Sequence, residues 1–149
     1  SEGLVIEIKE GGNGFMGWSK KGRAKAERVG DRCGYESNEL VIQVEEAGYG
    51  FMYRAKNGRA KAERVGNYCG YRSEGLIIDV GEAGDWFMKD SKNGIALVRG
   101  RVGKDCGWNS KNLRIFAETW SEERKMEYIE KYGKWWEGFG FPFEGELII

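Results

Sequence analysis

The sequence predicts an all-β protein of three tandem four-stranded repeats with pseudo-threefold symmetry, followed by one C-terminal α-helix and a closing strand. Three observations carry this expectation. Aligned on Cys33, Cys69 and Cys106, the segments 2–38, 39–73 and 74–112 repeat one pattern, with Leu4, Leu40 and Leu76 spaced 36 apart. A fixed period of this size marks a supersecondary unit that needs its neighbours to bury its apolar face. The tips Lys20-Lys21-Gly22-Arg23, Lys56-Asn57-Gly58-Arg59 and Lys92-Asn93-Gly94-Ile95 resemble two-residue hairpin loops, because Asn and Gly accept the φ > 0 of a type I′ turn. Finally, 24 Gly against one Pro, with 13% aromatic residues, indicate many tight turns rather than disorder.

Each repeat opens on an alternating strand: Leu4–Ile8, Leu40–Val44 and Leu76–Val80. Period two assigns Leu4, Ile6, Ile8 and their equivalents to the core. The second strand is read at Phe15–Trp18, Phe51–Arg54 and Phe87–Asp90. Beyond the tip, Arg-Ala-Lys-Ala-Glu-Arg-Val occurs identically at 23–29 and 59–65. Its residues favour helix, but the third copy, Ile95-Ala96-Leu97-Val98, is apolar and β-branched, and so selects a strand. The fourth strand is the Cys-Gly-aromatic-x-Ser motif at Cys33–Ser37, Cys69–Ser73 and Cys106–Ser110. The cysteines are spaced 36 and then 37 apart, so the third copy holds one extra residue, placed between Gly94 and Arg101 and accommodated by a bulge. After Asn112, Thr119-Trp120-Ser121-Glu122 fits a capping box and Glu122–Tyr132 a short amphipathic helix stopped by Gly133. Glu144–Ile149 echoes the first strand of a repeat and is expected to pair near the N-terminus, closing the sheet.

A β-trefoil-like barrel is the favoured architecture, and a three-sheet prism or short propeller the second, since closure removes aggregation-prone edges. The whole chain, 1–149, reads as one domain. No apolar run reaches the length of a membrane span and no charged-then-apolar leader opens the chain. With three cysteines and thus no full internal pairing, the expectation is a reducing, cytoplasmic location.

The chain holds no histidine, removing the commonest general base and metal ligand together. Phosphate loops, nucleophile elbows and metal-ligand spacings are also missing, so no cofactor and no catalysis are expected. Threefold convergence would bring Cys33, Cys69 and Cys106 to one axis as a trigonal thiolate site for a soft metal. The competing reading, three small buried hydrophobes, is stronger.

Two surface constellations remain. Arg23, Lys25, Arg59 and Lys61, with Trp18 and Tyr53, form basic hairpins suited to tracking a phosphate backbone and stacking bases. Residues 1–112 carry 19 basic and 16 acidic side chains, and 113–149 carry 5 and 8. A net charge of zero weighs against nucleic acid, and solvated strand faces would explain the same charges. Tyr35, Tyr71 and Trp108, each two residues before Ser37, Ser73 or Ser110, would suit a sugar platform, or simply cap the core with their polar ends wet. Trp120, Trp135 and Trp136 add an aromatic cluster fit for a protein partner or for docking over a barrel end. The function expected from sequence is a non-enzymatic binding module for single-stranded nucleic acid. A carbohydrate-binding repeat protein and a protein-interaction domain are the alternatives.

Overall fold

The computed structural model describes residues 3, 5–100, 102–117 and 146–148. Their strands are β1 (Val5–Gly11), β2 (Arg23–Val29), β3 (Val41–Ala47), β4 (Arg59–Val65), β5 (Ile77–Ala83), β6 (Ile95–Val98), β7 (Arg114–Ala117) and β8 (Glu146–Ile148). They form one sheet in strict chain order, parallel from β1 through β7. This is a β-solenoid of about six turns and not a trefoil barrel, prism or propeller: every sequential pair is parallel, whereas those folds need hairpins. Arg23 pairs with Val41 and Val41 with Arg59, so one rung is 18 residues and the 36-residue repeat is two rungs.

The Asn-Gly tip is a corner rather than a hairpin. Lys56 bridges in parallel to both Asn38 and Glu74. The left-handed residue is Asn57 (φ 52), not Gly58. The same local conformation serves either geometry, and only the long-range pairing distinguishes them. The segments read as second and fourth strands are also corners, with Asn13–Trp18 and its equivalents forming runs of turns. In the first rung Gly17 N–H donates to Gly14 O (2.9 Å) and Ser19 N–H to Met16 O (3.4 Å). The third residue of each turn, Met16 or Trp18, has φ 59 or 54, the type II signature.

The two-rung period has a physical cause in the core. Strands β1 to β5 alternate large and small side chains: Ile42 and Ile78 stack with Ala24 and Ala60, and Val44 and Val80 with Ala26 and Ala62. Corners do the same, as Phe51 and Phe87 alternate with Cys33, Cys69 and Cys106, and Met52 and Met88 with Gly34, Gly70 and Gly107. A Cβ on Gly58 would lie 2.7 Å from Met52 Cε and 3.4 Å from Leu76 Cδ1. Small rungs thus receive the side chains of the large rungs on either side. The cysteines sit in alternate rungs with Phe51 and Phe87 between them, so the trigonal thiolate arrangement does not form. Burial raises the Cys33 thiol to about 12 and Cys69 well above its ordinary range. Leu40 and Leu76 are fully buried, as expected; Leu4 lies outside the described residues.

Charge follows the same alternation on the flat outer face. Arg28 lies 3.3 Å from Glu10, Arg64 bonds Glu46, and in register Glu46 faces both Arg28 and Arg64. In-register parallel stacking would otherwise set like charge on like. Arg99 reaches the carboxylates of Asp79 (2.8 Å) and, two rungs away, Glu63 (3.1 Å).

The extra residue of the third copy falls late in its expected window. Val98 pairs with Val80, 18 away, whereas Gly103 N–H donates to Gly84 O, 19 away. The terminal strand also forms, but β8 pairs antiparallel with β7 at the end opposite β1. It caps the solenoid rather than closing it near the N-terminus. The expected helix 122–132 and Trp120, Trp135 and Trp136 lie outside the described residues. Among the described residues no helix is long and apolar enough to cross a membrane.

Candidate nucleic-acid interface

Stacked corners turn scattered aromatics into ladders. Backbone N–H groups of Trp18, Glu36, Arg54, Arg72 and Asp90 donate to the carbonyls of Tyr35, Tyr53, Tyr71, Lys89 and Trp108 at 2.8–3.0 Å. This repeated bond holds one position of every rung in a row along the solenoid axis, at roughly the 4.8 Å spacing of paired strands. A side-chain row steadies the turns: Asn13 and Asp31 accept from the N–H of Asp31 and Tyr49, and Asn67 and Asp85 from the N–H of Asp85 and Lys104 (2.8–3.0 Å).

The row reads Tyr35, Tyr53, Tyr71, Lys89 and Trp108, with Trp18 standing edge-on to Tyr35 at 5.0 Å. Tyr35–Tyr53 and Tyr53–Tyr71 centroids are 5.3 and 4.9 Å apart. Lys89 Nζ lies over both Tyr71 (5.5 Å) and Trp108 (5.0 Å), joining the last ring to the row through cation–π contacts. Tyr71 also touches Tyr68 (5.1 Å), which stacks on Trp86 (4.7 Å) and meets Tyr49 (5.3 Å). All eight Tyr and Trp residues among those described therefore belong to one continuous field. Trp18 is 64% exposed and Trp108 42%.

Grooves run beside this field. One of about 550 Å³ is lined by Trp18, Lys20, Glu36, Arg54, Lys56 and Arg72 among others, and one of about 400 Å³ continues from Arg72 past Lys92, Asn109 and Lys111. Together they present six cations against the carboxylates of Glu36, Glu74 and Asp90. Arg54 is held charged first by its hydrogen bond to the Tyr35 side chain and then by Glu36, 3.3 Å away. Trp18 Nε1–H donates to Glu36 Oε2 (2.8 Å), which fixes the indole at the groove mouth. Burial and then the neighbouring Tyr71 and Tyr49 push the Tyr53 phenol up, so its hydroxyl stays neutral.

Of the residues singled out from sequence, Trp18, Tyr35, Tyr53, Tyr71 and Trp108 come together here. Arg23, Lys25, Arg59 and Lys61 do not: they lie on the flat sheet face, interleaved with Val5, Glu7, Val41, Gln43 and Asp79. Ser37, Ser73 and Ser110 are buried, their hydroxyls donating to Gly34 O, Gly70 O and Met88 O. They tie down the turns and offer nothing to a sugar. Sequence reading missed Tyr49, Tyr68, Trp86 and the groove cations Lys20, Arg54, Lys56, Arg72, Lys92 and Lys111. Aligning the chain at 18 residues instead of 36 would have put these into columns. No protein-family model matches this chain, and no curated protein or solved structure does so either.

Proposed function

We propose that the protein is a non-enzymatic binder of single-stranded nucleic acid, taking the strand along the solenoid axis with bases on the aromatic field and phosphates in the adjoining groove. The observation that carries this reading is the gathering of all eight described Tyr and Trp rings into one strip bordered by six cations. Bases of any identity stack on aromatic rings, each worth about 1–3 kcal/mol, while lysines and arginines track the backbone. Regular rungs suit a polymer, since every rung offers the next repeat unit an equivalent place. The inward serines leave a neutral sugar without the hydroxyl partners that would orient it.

The test is quenching of tryptophan fluorescence by oligouridylate, titrated at low and raised salt. Binding should weaken steeply with salt. The double variant Lys56→Glu, Arg72→Glu should weaken it further, whereas Arg59→Glu, Lys61→Glu on the flat face should not. Absence of binding at low salt, or equal loss in both double variants, would overturn the reading. Tighter binding of a neutral polysaccharide would transfer the strip to sugars.

A further inference from the structure

The N-terminal end of the solenoid exposes half of a repeated pairing. Strand β3, large inside and acidic outside, is flanked on both edges by the same sequence, Arg-Ala-Lys-Ala-Glu-Arg-Val, in β2 and in β4. Strand β1 is of the same large, acidic type, with Ile6 and Ile8 inward and Glu7 and Glu10 outward. One of its edges carries β2, and the other carries no strand among the described residues. Its packing is correspondingly incomplete: Ile6, Ile8 and Phe15 are only partly buried, while Ile42, Val44 and Phe51 are at most 2% exposed.

We propose that this open edge of β1 is a docking site for an extended segment of a partner polypeptide, added parallel to β1. That segment has small residues facing the core and Arg or Lys facing outward. Both halves of this specification come from what the acidic strand accepts on its occupied edges. Ala24 and Ala26 lie in register with Ile6 and Ile8, which leaves the large side chains room. Lys25 and Arg28 lie in register with Glu7 and Glu10, which neutralises the outer face. Edge addition supplies main-chain hydrogen bonds, and alternate side chains give the selectivity.

A second copy of this chain is the poorer occupant. Its strands of the small, basic type, β2 and β4, already have neighbours on both edges, and β7 is covered by β8. It could offer only another β1, setting large residues on large and a predominantly acidic face on its like.

The experiment uses the full chain and a labelled peptide, Gly-Arg-Ala-Lys-Ala-Glu-Arg-Val-Gly, read by fluorescence anisotropy and by amide deuterium exchange. Saturable binding is expected, with exchange slowed along Val5–Gly11. A peptide with both alanines changed to leucine keeps the charge, and a peptide with glutamate for each basic residue keeps the packing. Each should bind about tenfold more weakly. The variant Glu7→Lys, Glu10→Lys should weaken the parent peptide by about the same factor. Because the peptide series uses the unaltered protein, the test survives a variant that fails to fold. Absent binding, equal affinity for the leucine peptide, or protection elsewhere than β1 would overturn the proposal. So would self-association of the chain that the Glu7→Lys, Glu10→Lys variant abolishes.

Discussion

Gly58→Ala tests the large-on-small stacking directly. Its backbone is not left-handed, so the added methyl meets no φ penalty, and any cost comes from space. The new Cβ would lie 2.7 Å from Met52 Cε, 3.3 Å from Leu40 O and 3.4 Å from Leu76 Cδ1. Carbon pairs prefer roughly 3.5–4 Å, so the Met52 methyl must retreat by about 1 Å within a filled core. Overpacking of this kind costs about 1–3 kcal/mol. Against it stands about 0.4–1 kcal/mol gained by stiffening the unfolded chain. The net loss should be about 1–2 kcal/mol.

Met52→Ala alone empties a fully buried site and should cost about 2–5 kcal/mol. In the double variant the new methyl occupies vacated space, so the combined loss should fall short of the sum by about 1–2 kcal/mol. Urea denaturation of the four proteins measures this through the midpoint at unchanged slope. Additivity within about 0.5 kcal/mol would mean that Met52 does not reach into the Gly58 site, and the explanation of the two-rung period would fail.

The Arg99 hydrogen bond holds the Glu63 carboxyl below its ordinary range. The stabilisation is present above the unfolded carboxylate pKa and is lost as pH falls through the lower folded one. Arg99→Gln should flatten the acid limb of a stability-versus-pH curve, and an unchanged limb would refute the link. The buried Cys33 thiol, raised from 9.0 to about 12, works at the alkaline end. Stability is intact below 9.0 and should fall by about 1.4 kcal/mol per pH unit between there and the folded value. Cys33→Ala should remove that slope in denaturation curves. For the groove, Tyr53→Ala should lower oligouridylate affinity by about 1–3 kcal/mol while leaving the salt slope unchanged, because it removes a ring and no cation.

The sequence determines this protein's building pieces and their chemistry. The strands Leu40–Val44, Arg59–Val65 and Leu76–Val80, the added residue near Gly100, the buried leucines and the terminal strand are all legible from period two and from the repeat. These are local signals, set by residues adjacent in the chain. The direction of pairing is not local. An Asn-Gly corner with φ > 0 at Asn57 satisfies its own residues equally in a hairpin and in a solenoid turn, so the choice rests with contacts 18 residues away. Phe51-Met52 mimics a strand because both residues are apolar, yet both side chains are buried at one corner. That is possible because Met52 has φ 58.

The site divides in the same way. Trp18, Tyr35, Tyr53, Tyr71 and Trp108 were conspicuous as residue types. Which cations accompany them was decided by the sheet, which turned Arg23, Lys25, Arg59 and Lys61 onto the flat face and put Arg54, Lys56 and Arg72 beside the rings. Sequence alone also presents 36 residues as the unit. Only the stacked structure resolves that unit into two rungs, because large must sit on small, and acid beside base, when every strand lies parallel and in register with the next.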